Sequence, residues 1–530
     1  MPTLGEVLPR LLQDMGIDTV FGIPGVHTVE LYRGLPATNL RHITPRHEQG
    51  AGFMADGYAR VTGRPAACFI ISGPGMTNIA TAMGQAYADS IPMLVISSVL
   101  NRDEIGRGEG RLHELKDQSA TAEGVAAWSH TVMSPADLPA VLDRAAATFN
   151  SARPRPVHIE LPLDVIVAEA GDLALAPSVP RRPAPDAAAI AQAADMLRGA
   201  ERPLMIVGGG ASGAAEAVSR LVAALGAPVV PTINAKGILP PDHPLLVGSL
   251  LPQRTILDEL AAADVVLAIG TELGETDTLL MGGYPQIGGA LIRIDIEAEQ
   301  LTRNAAATLG IVSDAGAAAT ALADALQGPA RQDGASRTST LREAGLKDID
   351  PAYAAHGRIL TRLSNEFPGL IVAGDSTQPV YGANLTYDAP QPRSYFNSST
   401  GFGTLGYGLP AASGARLACP DRPVVSLIGD GAFQFTLPEL ATAIELALPL
   451  PILLWNNRGY GEIKTYMAER QIPQIGVDIY TPDFQTIAKG FGAKAIHVHS
   501  LDALVDALAT AFAADGPTVI ELDDKEARTW

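Results

Sequence analysis

The chain has 530 residues, 47% hydrophobic and 18% charged, with a net charge of −19 at pH 7. That balance is the one of a well-buried globular protein, and the length holds about three domains at ~150 residues each. The negative charge argues against nucleic acid and anionic membrane as partners, while two cysteines, Cys68 and Cys419, exclude a disulfide scaffold or a Cys-rich metal site.

No run approaches ~18 consecutive apolar residues, and residues 1–14 mix charges into an apolar stretch, unlike a signal peptide. No membrane span and a cytoplasmic location are therefore expected. In chain order, the apolar run 66–71 reads as buried, with Cys68 as a small hydrophobe. Prolines in 176–185 remove backbone donors and favour an extended linker. A second linker is expected at 327–340, rich in Gly, Ser, Thr and charge without apolar periodicity. The pieces 1–175, 186–326 and 341–530 each alternate β and α patterns, so the expected class is α/β: three open, mainly parallel sheets with helices on both faces.

The central piece carries an apolar run, 203–207, and then Gly208, Gly209 and Gly210. It lacks the G-x-G-x-x-G spacing, and Asp295 lies far beyond the ~20 residues expected of a ribose-binding acid. A tight turn into a helix is expected there. In the third piece the run 370–373 leads to Gly374, Asp375, Ser376 and Thr377. Groups at such a strand end can hold diphosphate oxygens; Ser376 or Thr377 equally reads as a helix N-cap. The run 424–428 then ends in Gly429, Asp430, Gly431 and Ala432, and the run 452–455 in Asn456, Asn457, Arg458 and Gly459. Residues 436–446 between them read as one amphipathic helix.

Two parallel strands joined by a helix bring their carboxyl ends side by side, where open α/β sheets bind ligands. Asp430 and Asn457 should therefore meet. A carboxylate, an amide oxygen and a loop carbonyl such as that of Gly459 suit Mg²⁺, and the glycines let N–H groups approach a phosphate.

Gly-Asp-Gly and Asn-Asn at this spacing resemble the signature of thiamine-diphosphate (ThDP) enzymes, specifically the 2-oxo acid decarboxylase and acetolactate synthase family. The resemblance runs along the whole chain: a pyrimidine-binding domain, a central domain and a diphosphate-binding domain. It implies that Glu48, in the segment 46–60, bonds the cofactor's pyrimidine N1′ and favours the imino tautomer that takes the C2 proton. Burial would keep that proton available. As a residue type alone, Glu48 also reads as a helix N-terminal acid.

The segment 400–410 matches a family segment and places Gly403 and Leu405 at the cofactor, with Leu405 under its bend; packing alone would also explain this leucine. Tyr460 and Gly461 are implied to line the cofactor, and residues 72–78 the substrate side. ThDP and Mg²⁺ are the implied cofactors. Because such sites are shared between subunits, a homodimer or homotetramer is implied.

Departures narrow the choice. The chain lacks an adjacent His-His pair, has Val26 and Ile71 where benzoylformate-type enzymes place Ser and His, and has no flavin segment after 265–269. Tyr466 replaces a tryptophan of acetolactate synthases. The chain is most similar to the 5-guanidino-2-oxopentanoate decarboxylases, through segments 21–28, 47–60, 111–118 and 400–410. A guanidinium would need a carboxylate partner; Glu114, Asp117 and Glu462 are candidates, each equally a surface acid. His27 and His113 are candidate proton donors, with Glu114 beside them, and Lys464 could attract the substrate carboxylate. The expected reaction is decarboxylation of a 2-oxo acid to an aldehyde. The alternatives are an acetolactate synthase-like carboligase and a ThDP-fold binding protein without turnover.

Overall fold

The computed structural model describes all residues except 177–179, 327, 329 and 330, so those parts of both expected linkers lie outside the described residues. The first sheet holds β1 (Thr19–Gly22), β2 (Arg41–Ile43), β3 (Ala66–Ile70), β4 (Met93–Val99), β5 (Ser129–Thr131) and β6 (Val157–Pro162), in the order β2-β1-β3-β4-β6-β5. The central sheet, β11-β10-β9-β7-β8, holds β7 (Pro203–Val207), β8 (Val229–Pro231), β9 (Val265–Ile269), β10 (Ala290–Asp295) and β11 (Leu309–Val312). The third runs β13-β12-β14-β15-β17-β16, from β12 (Ile371–Gly374), β13 (Tyr395–Asn397), β14 (Val424–Gly429), β15 (Pro451–Asn456), β16 (Lys494–Val498) and β17 (Thr518–Asp523).

All three sheets are parallel throughout, as the α/β reading expects. The first and third share one strand order. Their inner strands, such as β3 and β14, are buried at every residue, as sheets covered by helices on both faces require.

Two local readings need correction. Residues 436–446 are not one helix: the chain forms Asp430–Thr436 and then Glu439–Glu445, with Pro438 starting the second. Proline has no N–H to continue the first ladder. The segment 327–340 is also not wholly a linker, because Gly334–Lys347 is a helix. Its apolar content is low, yet Leu341 joins the cluster of Leu250, Leu251 and Leu260 on the central sheet. Gly210 and its neighbours make the expected tight turn, Gly209–Ala211, ahead of the helix Ala215–Leu225.

The first and third units share one apolar core, in which Phe53 and Met54 meet Tyr407 and Leu409. The Glu48–Thr62 and Gly408–Ala418 helices cross there with backbone against backbone. A Cβ on Gly57 would lie 2.0 Å from the Ala411 carbonyl oxygen, and one on Gly414 would lie 1.9 Å from that of Met54. Beside the crossing, the buried Arg60 donates to Asp56 (2.7 Å) and Asp89 (2.5 Å). Asp89 also accepts from Asn234 of the central unit (3.1 Å) and Thr400 of the third (2.9 Å).

Removing one member of a buried ion network leaves charge uncompensated, at a cost of about 3–5 kcal/mol. Arg60→Met should therefore lower the denaturant midpoint of unfolding by that amount of stability. An unchanged midpoint would show that the three units hold together without it.

Candidate active site

The two Gly-Asp-Gly and Asn-Asn turns do meet. β14 and β15 are adjacent, with Gly429 in register with Trp455. Asp430, 1% exposed, accepts from the N–H of Asn457 (3.3 Å) and of Gly459 (3.0 Å). Burial pushes its carboxyl up, and these N–H bonds pull it back. The two asparagines divide their work. Asn456 donates to Glu521 (2.7 Å) and accepts from Arg458 N–H (3.1 Å), fixing the turn. The Asn457 side-chain amide lies 2.7 Å from the Gly459 carbonyl oxygen and 3.1 Å from Asp430 Oδ1 at one terminus and 3.1 Å from Gln378 Oε1 at the other. Hydrogen bonding within the chain alone turns its nitrogen to Asp430 and Gly459. A cation between Asp430 and the Gly459 carbonyl would instead draw the amide oxygen round, giving a carboxylate, an amide oxygen and a carbonyl on one side of it. This donor set fits a hard divalent ion.

At several of these glycines the chain itself leaves no room for a side chain. A Cβ on Gly429 would lie 2.7 Å from Thr377 Oγ1, one on Gly431 2.8 Å from the Tyr460 ring, and one on Gly461 2.5 Å from Asn457 Nδ2. A Cβ on Gly374 would meet Val380 at 2.7 Å. Gly403 has φ +75° and open space around it. Thr377 is the N-cap of Gln378–Thr386 by position, but its side chain makes no capping bond. Ser376 pairs with Ser398 (2.9 Å). Asp375 ties the turn down by accepting from Gly408 N–H (2.8 Å) and Ser376 N–H (2.9 Å), with burial pushing its carboxyl up to about 7. The Asp430 helix carries no side-chain cap on Gly429, and Ala432 sits in its first turn.

Glu48 opens the Glu48–Thr62 helix behind the N-cap His47. Its carboxylate accepts from Asn78 Nδ2 (2.9 Å), and it is half-buried, not enclosed. A residue of the third unit fixes this helix start. Glu439, 1% exposed, accepts from the N–H of Arg46 (3.0 Å) and of His47 (3.0 Å). No hydrogen bond among the described residues joins Glu48 to Asp430, Asn457 or Gly459 within the chain. Leu405 is partly buried against the core shared by the first and third units.

His27 and His113 come together from separate loops, their rings edge to face at 5.0 Å. His27 Nδ1 is paired with Ser72 Oγ (2.8 Å), and burial, with His113 beside it, holds its pKa below the usual 6.5. His113 sits at φ +61°, a costly conformation for a side-chain-bearing residue. Glu114 holds that loop together, accepting from the N–H of Gly108 (2.8 Å) and Arg111 (2.9 Å), which keeps it below the usual carboxylate range. Asp117 caps the helix Gln118–Glu123, Glu462 accepts from Tyr353 and Gln378, and Lys464 pairs with Asp478. All three candidate acids already have partners.

Sequence reasoning missed Asn78, Glu439, Gln378 and Ser72. Ser72 and Asn78 lay in the segment 72–78 and Glu439 in the helix read over 436–446, but none was given this role.

The comparisons agree with this geometry. Residues 2–121 match the N-terminal TPP binding domain of thiamine pyrophosphate enzymes, 190–322 the central domain, and 375–522 the C-terminal TPP binding domain. The chain belongs to the thiamine pyrophosphate enzyme family. A protein of Pseudomonas aeruginosa named "Probable 2-ketoarginine decarboxylase" is 46% identical over 98% of this chain and 94% of its own. A "Probable acetolactate synthase large subunit" of Methanocaldococcus jannaschii is 30% identical over 98% of this chain and 91% of its own. An X-ray structure from Mycobacterium smegmatis, described as that of a "putative thiamin diphosphate-dependent enzyme", superposes with a TM-score of 0.82 at 26% identity, covering 99% of both chains.

Glu439→Ala would strand the Arg46 and His47 N–H groups, at about 1–3 kcal/mol each. The variant should melt at lower temperature and lose turnover as the Glu48 helix start loosens. Unchanged melting would remove Glu439 from the site's support.

Proposed function

We propose that the chain decarboxylates a 2-oxo acid to an aldehyde and CO₂ without net oxidation, using ThDP and Mg²⁺, and that its substrate is a cationic, guanidino-type acid. The observation that carries the reading is the meeting of the Asp430 carboxylate, the Asn457 side-chain amide and the Gly459 carbonyl at the adjoining ends of β14 and β15. The 46% identity to a protein named as a 2-ketoarginine decarboxylase supports the substrate class.

When bound, ThDP supplies the nucleophilic carbon and the electron sink for CO₂ loss. Asp430, Asn457 and Gly459 would hold the cation, and the ends of β12 and β14, at Gly374–Thr377 and Gly429–Ala432, would meet the diphosphate. Tyr460, Gly461, Gly403 and Leu405 would line the cofactor. Glu48 would share a proton at the pyrimidine N1′. Its half-exposure supports a second copy of the chain as the missing wall. A homodimer or homotetramer in the cytoplasm, with each site drawing Glu48 from one copy and Asp430 from the other, follows from this reading. Exposed Val26, Leu112, Phe402, Phe435 and Ile463 support such a contact. With His27 Nδ1 tied to Ser72, Nε2 is its atom left to carry a proton to the product carbon; His113 would orient it.

Glu48→Gln should reduce turnover about 10²–10⁴-fold while ThDP still binds in calorimetry. Near-full turnover would refute the role. Asp430→Ala should lose ThDP on dialysis against magnesium-free buffer and fail to regain it when magnesium is restored.

Because the pKa of His27 is lowered, its charged form is depleted as pH rises through a value below 6.5. A rate drawing on that proton should fall across this range, and His27→Gln should remove the inflection. CO₂ release should be fastest with the guanidino acid among cationic, branched, aromatic and short 2-oxo acids. Dominant acetolactate formation from pyruvate would favour the carboligase instead.

A further inference from the structure

The amide of Gln378, first residue of the helix Gln378–Thr386, stands among three polar side chains. Its Oε1 accepts from Arg528 Nη2 (3.0 Å) and Asn457 Nδ2 (3.1 Å), and its Nε2 donates to Glu462 Oε2 (3.1 Å). The outer partners are fixed in turn. Tyr353 donates its hydroxyl to Glu462 (3.2 Å), and Arg528 Nε donates to Asp524 (2.8 Å), which also accepts from Trp455 Nε1 (2.7 Å).

A guanidinium can only donate, and an ionised carboxylate can only accept. One orientation of the Gln378 amide satisfies both. The atom it turns to Asn457 is then an oxygen, and Asn457 must answer with its nitrogen. That choice would leave the Asn457 oxygen toward Asp430 Oδ1 (3.1 Å) and the Gly459 carbonyl oxygen (2.7 Å), which is favourable with a cation between them and unfavourable without one. Turning Asn457 over would relieve those oxygens but set its own oxygen against Gln378 Oε1. Turning Gln378 as well would move the mismatch to Arg528 and Glu462.

We propose that Gln378, locked by Arg528 and Glu462, is a positioning residue that keeps the oxygen of Asn457 turned to the cation. The inference rests on reading Asp430, Asn457 and Gly459 as the metal site. Partners of this kind outside the ligands themselves typically change metal affinity by about 10- to 100-fold.

The test is Mn²⁺ titration followed by electron paramagnetic resonance, with ThDP present, on the full-length protein. Gln378→Leu should weaken Mn²⁺ binding at least about tenfold. Asn457→Asp offers an oxygen in either orientation and needs no partner to choose one. It should therefore recover most of the lost affinity in the Gln378→Leu background. In the wild-type background, where its second oxygen would face Gln378 Oε1, it should give no such gain. The same fold-change from Asn457→Asp in both backgrounds, or unweakened binding by Gln378→Leu, would overturn the proposal.

Should Gln378→Leu fail to fold, Arg528→Met frees the Gln378 amide without removing it. It should weaken Mn²⁺ binding several-fold, with Arg528→Lys restoring it; wild-type affinity in Arg528→Met would overturn the proposal. Wild-type protein that binds no Mn²⁺ would overturn the underlying metal reading and this inference with it.

Discussion

Arg60 sits out of water between two carboxylates, Asp56 and Asp89, and the position of everything else follows from satisfying that group. A guanidinium taken from water needs its full set of partners, because the cost of desolvation is repaid only by well-placed acceptors. Here the acceptors lead outward into every unit. Tyr407 donates to Asp56, Asn234 and Thr400 donate to Asp89, and the Thr400 segment continues directly to Gly403 and Leu405. The same helix carries Glu48 at its start and Arg60 in its last turn. Glu48 and the segment 403–405 thus hang from one buried charge, and the backbone contact at Gly57 and Gly414 fixes how the two helices cross.

The three α/β units and the meeting of Asp430 with Asn457 were legible in the sequence because both depend on local patterns. Apolar runs mark the strands, and a βαβ connection leaves little freedom in where its two ends lie. The support for those residues was not legible. Gln378 reaches Asn457 across 79 residues and Arg528 across 150, and neither lies in a patterned segment. Glu439 is an ordinary helix-start acid by sequence, yet it caps a helix almost four hundred positions away. The acids proposed for a cationic substrate were read by type alone. The fold had already spent Glu114 on a loop, Asp117 on a helix cap and Glu462 on an amide.

The two misread segments fail for related reasons. Residues 334–347 form a helix whose packing relies on Leu341 and on glycines, such as Gly345, that approach Leu250 closely. Such a helix has almost no apolar stripe to detect. The stretch 436–446 has the stripe, but Pro438 divides it, and the break lets the short Asp430–Thr436 helix end beside Gly406, whose carbonyl accepts from Thr436 (2.7 Å).

Helices that touch backbone to backbone at Gly57 and Gly414 leave no room there for side chains between the first and third units. The rim is packed differently. The loop bearing His113 contains Gly106, Gly108 and Gly110 at positive φ, and Gly461–Glu469 buries none of its residues. The first is held by Glu114 to its own loop, and the second by Lys464 to Asp478 and by Glu462 to Tyr353 and Gln378. Breaking contacts of that kind takes microseconds or less, on the order of ordinary loop motion. The loop beside His27 and Ser72 thus sits in one of the least buried parts of a frame whose centre is packed backbone to backbone.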